Sequence, residues 1–212
     1  MKAIVSNLGD RPAAGITEHY LRAVDVLRQG GIVALPTDTV YGLCAVAADR
    51  AAVERIYATK ARDPQQAMPI FVASIEQAEL IADVNAVARR LMQRFWPGAL
   101  TIVLRKRTGY ESRAVAGGET IAIRAPGDAS LREIAAQLGP ITGTSANIAG
   151  REECHTADEV RTHLGDAVDL IVDAPIEASG KPSTIVDCTN PDNVRILREG
   201  SISIEDVLAA RD

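Results

Sequence analysis

Apolar residues recur along the chain with two periods. Leu21, Val24 and Leu27 share one helical face in the segment 17–28, which stops at Gly30. The same spacing returns with Val53, Ile56 and Tyr57 behind Asp49. It returns again with Val87, Leu91 and Phe95, in a segment that starts near Asn85 and ends at Pro97-Gly98. Three further starts have the spacing of a capping box: Ser74-Ile75-Glu76-Gln77, Ser130-Leu131-Arg132-Glu133 and Thr156-Ala157-Asp158-Glu159. There a hydroxyl and the side chain three residues on take up N–H groups left open at a helix start. The last two of these helices are expected to end at Gly139 and Gly165, and Ser203 caps a short final helix through residue 210.

Short apolar runs between the helices predict strands at 3–5, 32–35, 70–73, 100–104, 121–124, 141–144, 170–172, 184–186 and 194–197. Strict alternation with helices would give a wholly parallel sheet. Near 100–124 and 170–197, however, neighbouring strands have no helix between them, which predicts an α+β fold with a twisted mixed sheet flanked by helices. The segments 108–119 and 174–182, rich in glycine, serine and charge, read as mobile surface loops.

Composition narrows the picture. A chain of 212 residues that is 47% hydrophobic can bury one good core, and a single domain over 1–212 is expected. No apolar run approaches the roughly 20 residues that a membrane-spanning helix needs, and Met1-Lys2-Ala3-Ile4-Val5-Ser6-Asn7 is too short and polar for a signal peptide. Cys44, Cys154 and Cys188 are odd in number and widely spaced. That argues against a disulfide framework or a zinc site and fits a reducing cytoplasm. The net charge of −5 argues against bulk electrostatic binding of nucleic acid, though a local basic groove remains compatible with it.

Chemistry-bearing residues collect where predicted strands end. Pro36-Thr37-Asp38-Thr39-Val40-Tyr41-Gly42-Leu43 follows the run 32–35 and brings hydroxyls, a carboxylate and a glycine to a strand end, a common place for a small ligand. An ordinary polar strand end is the alternative. Asp63-Pro64 ends the second helix near Lys60. In an extended segment Lys60 and Arg62 would point to one side as a cationic pair suited to phosphate, although a Lys-x-Arg is more often solvated surface. Thr142-Gly143-Thr144-Ser145-Ala146-Asn147 repeats the pattern of hydroxyls and an amide after an apolar strand. It could bind a nucleotide or only brace its own turn. His19 and His163 sit in amphipathic helices, Cys154-His155 lacks a second ligand pair, and Cys44 and Cys188 read as core.

The order of these pieces is more specific than any one of them. The Pro36–Leu43 motif and Lys60-Ala61-Arg62 are followed by Trp96-Pro97-Gly98-Ala99-Leu100-Thr101, Ile123-Arg124-Ala125-Pro126, Thr144-Ser145-Ala146-Asn147, Ser183-Thr184-Ile185-Val186-Asp187 and Ile196-Leu197-Arg198-Glu199-Gly200. Over residues 15–205 this series resembles the YrdC-like family of threonylcarbamoyl-AMP synthases, in its single-domain form. The resemblance implies a mixed sheet lining a large concave groove. It implies synthesis of threonylcarbamoyl-AMP from L-threonine, bicarbonate and ATP, with magnesium on the triphosphate and release of pyrophosphate. A partner transferase complex would then modify the adenosine beside the anticodon of tRNAs that read codons beginning with A, and a weak affinity for tRNA or double-stranded RNA would fit. Position by position it implies that Thr39, Arg124 and Ser183 hold threonine, with Arg124 as a fork for its carboxylate. Lys60, Arg62, Thr120, Ser145, Asn147 and Arg198 would face the nucleotide, Lys60 and Arg62 with a catalytic part.

The chain departs from the family pattern in places. Proline is delayed to Pro64, Gln66 and Ala67 replace the residues often found there, and Phe71 stands near a position where some relatives carry histidine. Longer relatives continue into a second domain that helps close the groove. Here closure is expected from 108–119 and 174–182. Two other readings differ in what they predict. An RNA-binding paralogue without synthesis would lose the cationic pair or the Ser-x-Asn, and both are present. A carbamoyl transferase of the hydrogenase-maturation type would carry cysteine-rich zinc modules, which this chain lacks.

Overall fold

A computed structural model describes residues 4–7, 18–174 and 181–211, with 4–7 described as backbone. The expected strand start at Ala3, the helix start at Thr17 and residues 175–180 of the loop 174–182 lie outside the described residues. The elements run β1 (Ile4–Asn7), α1 (Glu18–Arg28), β2 (Val33–Leu35), β3 (Gly42–Cys44), α2 (Arg50–Thr59), β4 (Ile70–Phe71), α3 (Ile75–Glu79), α4 (Ala86–Phe95), β5 (Leu100–Arg105), β6 (Thr120–Arg124), α5 (Ala129–Leu138), β7 (Ile141–Thr142), β8 (Thr144–Ser145), α6 (Ala157–Leu164), β9 (Leu170–Asp173), β10 (Thr184–Asp187), β11 (Arg195–Arg198) and α7 (Ile204–Arg211). No described helix is long and apolar enough to cross a membrane.

The expected mixed α/β architecture is present, but as two sheets. One has the order β1-β9-β2-β3-β8 and the other β11-β10-β5-β6-β4-β7. Each mixes parallel and antiparallel pairs: β9 runs parallel to β1 and β2 while β2 pairs antiparallel with β3, and β5 is parallel to β10 but antiparallel to β6. Period-two alternation divides the apolar residues between two cores. Val33 and Leu35 of β2, with Leu170 and Val172 of β9, pack against Tyr20, Leu27, Leu131 and Ile134 of α1 and α5. Ala34 and Ile171, the residues between them, face the larger core with Ile56 of α2, Leu91 of α4 and Val160 of α6. Strands buried on both faces in this way need apolar residues at every position, which is why β2 and β9 read as unbroken apolar runs.

Helix caps account for most boundaries. The side chains of Asp49 and Asn85 accept the open N–H groups of Ala52 and Ala88, and Thr156 with Glu159 forms a complete capping box. At Ser74 the hydroxyl accepts from Gln77 N, but the Gln77 side chain accepts from Ala73 N, one residue before the cap. The cap of α5 is Asp128, not Ser130, so that helix starts two residues earlier than expected. Aspartate caps as well as serine does, and the Ser-x-x-Glu spacing lies inside the first turn. The segment 108–119 is anchored instead of free. Ser112 caps a 3-10 turn over Arg113–Val115, whose Ala114 and Val115 are buried, and Ala114 O accepts from Met68 N.

Trp96, the single tryptophan, donates from Nε1 to Leu100 O at 2.7 Å. It closes the turn that delivers Gly98 and the start of β5.

Candidate active site

The faces of both sheets meet at a groove of about 340 Å³. Its floor comes from alternate residues of the second sheet: Thr101 and Val103 of β5, Ala122 and Arg124 of β6, Ile185 of β10 and Leu197 of β11. One wall comes from the 37–42 turn and Ser145. Gly143 is required there, because a Cβ at this position would lie 2.3 Å from the Phe71 ring, which lines the groove.

Six of the expected site residues line this groove: Thr39, Arg62, Arg124, Ser145, Ser183 and Arg198. Lys60 and Asn147 lie behind the wall, at 1% and 5% exposure. Thr120 is exposed at the start of β6, opposite Arg105. By strand alternation it continues the row of Ala122 and Arg124 at the outer end of the groove.

The turn at Thr37–Val40 holds itself together. Thr37 Oγ1 donates to Val40 O at 2.7 Å and accepts from Thr39 N at 2.9 Å. Its proton is thereby used, so in the 2.9 Å contact between the two hydroxyls Thr39 is the donor. Thr39 Oγ1 in turn accepts from Arg124 Nη1 at 3.0 Å. The Arg124 guanidinium also donates from Nε to Gly98 O at 2.8 Å, and its Nη2 meets Asp38 Oδ1 at 2.6 Å. Arg124 is 3% exposed and lies over the Phe71 ring. Burial lowers its pKa and the Asp38 charge opposes that. Asp38, Gly98 O and Thr39 thus hold in place the guanidinium expected to fork a threonine carboxylate.

The Lys60-Ala61-Arg62 segment is not extended. Lys60 closes α2 in helical geometry, and Ala61 is left-handed at φ 47°. Lys60 therefore turns inward while Arg62 turns to the groove. Lys60 Nζ donates to Ser145 O, to Asn147 O at 2.5 Å and to Asn147 Oδ1 at 3.3 Å. Burial, then the nearby Arg62 charge, push its pKa down to about 8. Arg62 donates to Gln66 O at 3.3 Å and Ala67 O at 2.8 Å. Arg198 donates from Nε and Nη2 to Ser183 O at 3.1 and 2.8 Å, and Ser183 Oγ lies 2.9 Å from Thr101 Oγ1. Burial lowers the Arg198 pKa, against the charge of Glu153. Among the described residues no carboxylate reaches ion-pair distance of Arg62 or Arg198.

Sequence reasoning missed several lining residues. Thr101 lay inside a quoted motif and carries the alternation that faces it to the groove. The hold of Asp38 on Arg124 bridges 86 positions of chain and leaves no local signal. Glu153, a carboxylate on the groove wall, stands in a polar run without any pattern.

A chain with this groove, this order of motifs and these two sheets belongs to the Sua5/YciO/YrdC family, whose model, described as "Telomere recombination", matches residues 25–200. Among curated relatives it is 36% identical over 208 residues to the threonylcarbamoyl-AMP synthase of Pyrococcus abyssi (strain GE5 / Orsay), covering 96% of this chain and 59% of that protein. It is 36% identical over 176 residues to a putative threonylcarbamoyl-AMP synthase of Methanocaldococcus jannaschii, covering 83% of each. The crystal structure of P. abyssi Sua5 complexed with L-threonine superposes with a TM-score of 0.90 at 33% identity, over 98% of this chain and 61% of that one. The chain thus spans about three fifths of the length of the Pyrococcus protein.

Proposed function

We propose that this chain is an L-threonylcarbamoyladenylate synthase, converting L-threonine, bicarbonate and ATP to threonylcarbamoyl-AMP and pyrophosphate. The observation that carries the reading is the pair Arg62 and Arg198. Both guanidinium groups face the groove, and both are held by neutral carbonyl or hydroxyl oxygens. With no described carboxylate in ion-pair distance, their charge remains largely for a polyphosphate. The names of the curated relatives and the threonine complex of the Pyrococcus protein support the rest.

In this reading threonine occupies the Thr39–Arg124–Ser183 end, and ATP runs past Ser145 between Arg62 and Arg198, with Thr120 at the outer end. The free amine of threonine and bicarbonate give a carbamate and water. A carbamate oxygen then bonds to the α-phosphorus as the bond to the bridging oxygen breaks, and pyrophosphate leaves with that electron pair. Both reactants are anions, so the task of the protein is to hold them together and to neutralise the charge developing on phosphate. No side-chain nucleophile is needed. Magnesium would neutralise part of the triphosphate charge. The residues fit it, since Glu153 is a groove carboxylate outside ion-pair distance of either arginine, and one carboxylate with phosphate oxygens suits this ion. The product is a reactive mixed anhydride that a cytoplasmic transferase complex would consume on tRNA. Direct tRNA contact, if made, would be weak for a chain of net charge −5.

Incorporation of labelled bicarbonate with ATP, magnesium and different amino acids tests the proposal. Threonine-dependent formation of an adenylated carbamate is expected. Equal yield with serine, or with no amino acid, overturns it.

A further inference from the structure

Lys60, Ser145 and Asn147 form a closed network in which every donor and acceptor can be assigned. An ammonium has three protons and no lone pair. Those of Lys60 meet Ser145 O, Asn147 O and Asn147 Oδ1. The Asn147 amide is oriented by its neighbours. Its Nδ2 faces Ile148 O at 3.2 Å and Arg151 O at 2.6 Å, which can only accept, while Oδ1 faces Lys60 Nζ, which can only donate. Turning the amide over would set N–H against ammonium and oxygen against both carbonyls. With Oδ1 fixed as an acceptor, Ser145 Oγ at 2.6 Å gives it its proton. Ser145 therefore presents only lone pairs to the groove it lines.

We infer that Lys60 and Asn147 are positioning residues that hold Ser145 as a hydrogen-bond acceptor on the groove wall, and that Ser145 receives a hydroxyl or amino donor of a substrate, not a phosphate oxygen. Phosphate oxygens are themselves acceptors at neutral pH and would meet Ser145 lone pair to lone pair. Lys60, with all its protons committed inside the wall, reaches no phosphate without giving up a buried partner. The nature of the donors rests on the synthase reading, which supplies ribose hydroxyls, the adenine amino group and the threonine ammonium.

Binding measurements separate the roles. Adenosine, AMP, a non-hydrolysable ATP analogue and L-threonine are titrated calorimetrically into the wild type and into Ser145→Ala, Asn147→Ala and Lys60→Met. Loss of one well-made hydrogen bond predicts weakening of about tenfold. If the donor belongs to the nucleoside, the factor is the same for adenosine, AMP and the ATP analogue. One of 2′-deoxyadenosine, 3′-deoxyadenosine or purine riboside, weakened in the wild type, then loses nothing further in Ser145→Ala. If it belongs to threonine, the loss falls on threonine alone. Lys60→Met added to Ser145→Ala costs little more than either change alone. A loss that grows from adenosine through AMP to the ATP analogue, fully additive losses, or unchanged binding in all variants overturns the inference. Should thermal melting show Lys60→Met unfolded, Asn147→Ala decides, because it leaves the backbone partners of Lys60 in place. A wild type with this binding pattern but no threonine-dependent pyrophosphate release would remove the synthase reading and leave the Ser145 assignment standing.

Discussion

At one end of the groove Arg124 is closed on itself, with its charge met by Asp38 and its remaining edge used by Gly98 O and Thr39. Elsewhere in the groove lining Arg62 and Arg198 donate only to carbonyl or hydroxyl oxygens. Residue type is the same, but Arg124 is buried, Arg62 half-buried and Arg198 exposed, and the electrostatic outcome differs with the partners. A guanidinium paired with a carboxylate shapes its surroundings and contributes little field beyond them. One held by neutral dipoles is fixed in direction and keeps its charge for a ligand. In the proposed reading this difference leaves Arg62 and Arg198 to meet the polyphosphate, while the Asp38-held Arg124 shapes the threonine side.

Breaking the closed end should have the largest effect on folding. Arg124→Leu leaves Asp38 with no counter-ion in a mostly buried site, and a loss of about 3–5 kcal/mol in unfolding free energy is expected by denaturant titration. Arg124→Leu with Asp38→Leu should recover much of that loss. No recovery would show that the pair is not the source. Arg62→Ala or Arg198→Ala should cut turnover by about 10²–10³-fold while the melting temperature changes little. Unchanged turnover in both would dissolve the contrast between the paired arginine and the two unpaired ones.

The pH dependence sharpens the same contrast, because Lys60 braces the open end. Below about 8 its ammonium fills three acceptors. As pH rises through that value one donor is lost, and binding that depends on Ser145 should weaken in the wild type but not in Lys60→Met. Stability moves the other way. The folded value of about 8 lies below the ordinary 10.5, so between them the unfolded chain holds the proton that the folded one has released. The contribution of Lys60 to unfolding free energy therefore rises with pH across that window. Comparing wild type and Lys60→Met by denaturant titration from pH 7 to 10 reads this directly. The smallest effect is expected at Ala61, which sits at φ 47° where a side chain is strained. Ala61→Gly trades that strain against the greater freedom of the unfolded chain, for a net gain of about 0.5 kcal/mol.

What could be read from the chain alone was local or periodic. β2 and β9 were visible as apolar runs, and Asp49, Asn85 and Thr156 as caps, because each depends on residues within a few positions. β3 was missed because three residues at the end of a polar motif are too few to show a period; it forms because Leu35 pairs with Gly42 across a turn. The division into two sheets was also out of reach, since it depends on pairings such as β10 with β5, more than 80 positions apart. Six of the residues picked out by the order of motifs line one groove. What it did not convey was direction: one left-handed alanine sends Lys60 inward and Arg62 outward, and a distant carboxylate claims Arg124.

Trp96 bears on how the closed end can be watched. As the single indole, hydrogen-bonded to Leu100 O and two residues from the carbonyl that holds Arg124 Nε, it makes the chain's intrinsic fluorescence a report from one corner of the molecule. Emission excited at the red edge of the tryptophan band therefore comes from beside the Gly98–Arg124 contact, and a shift in it on Arg124→Leu is the expected label-free sign that this corner has loosened.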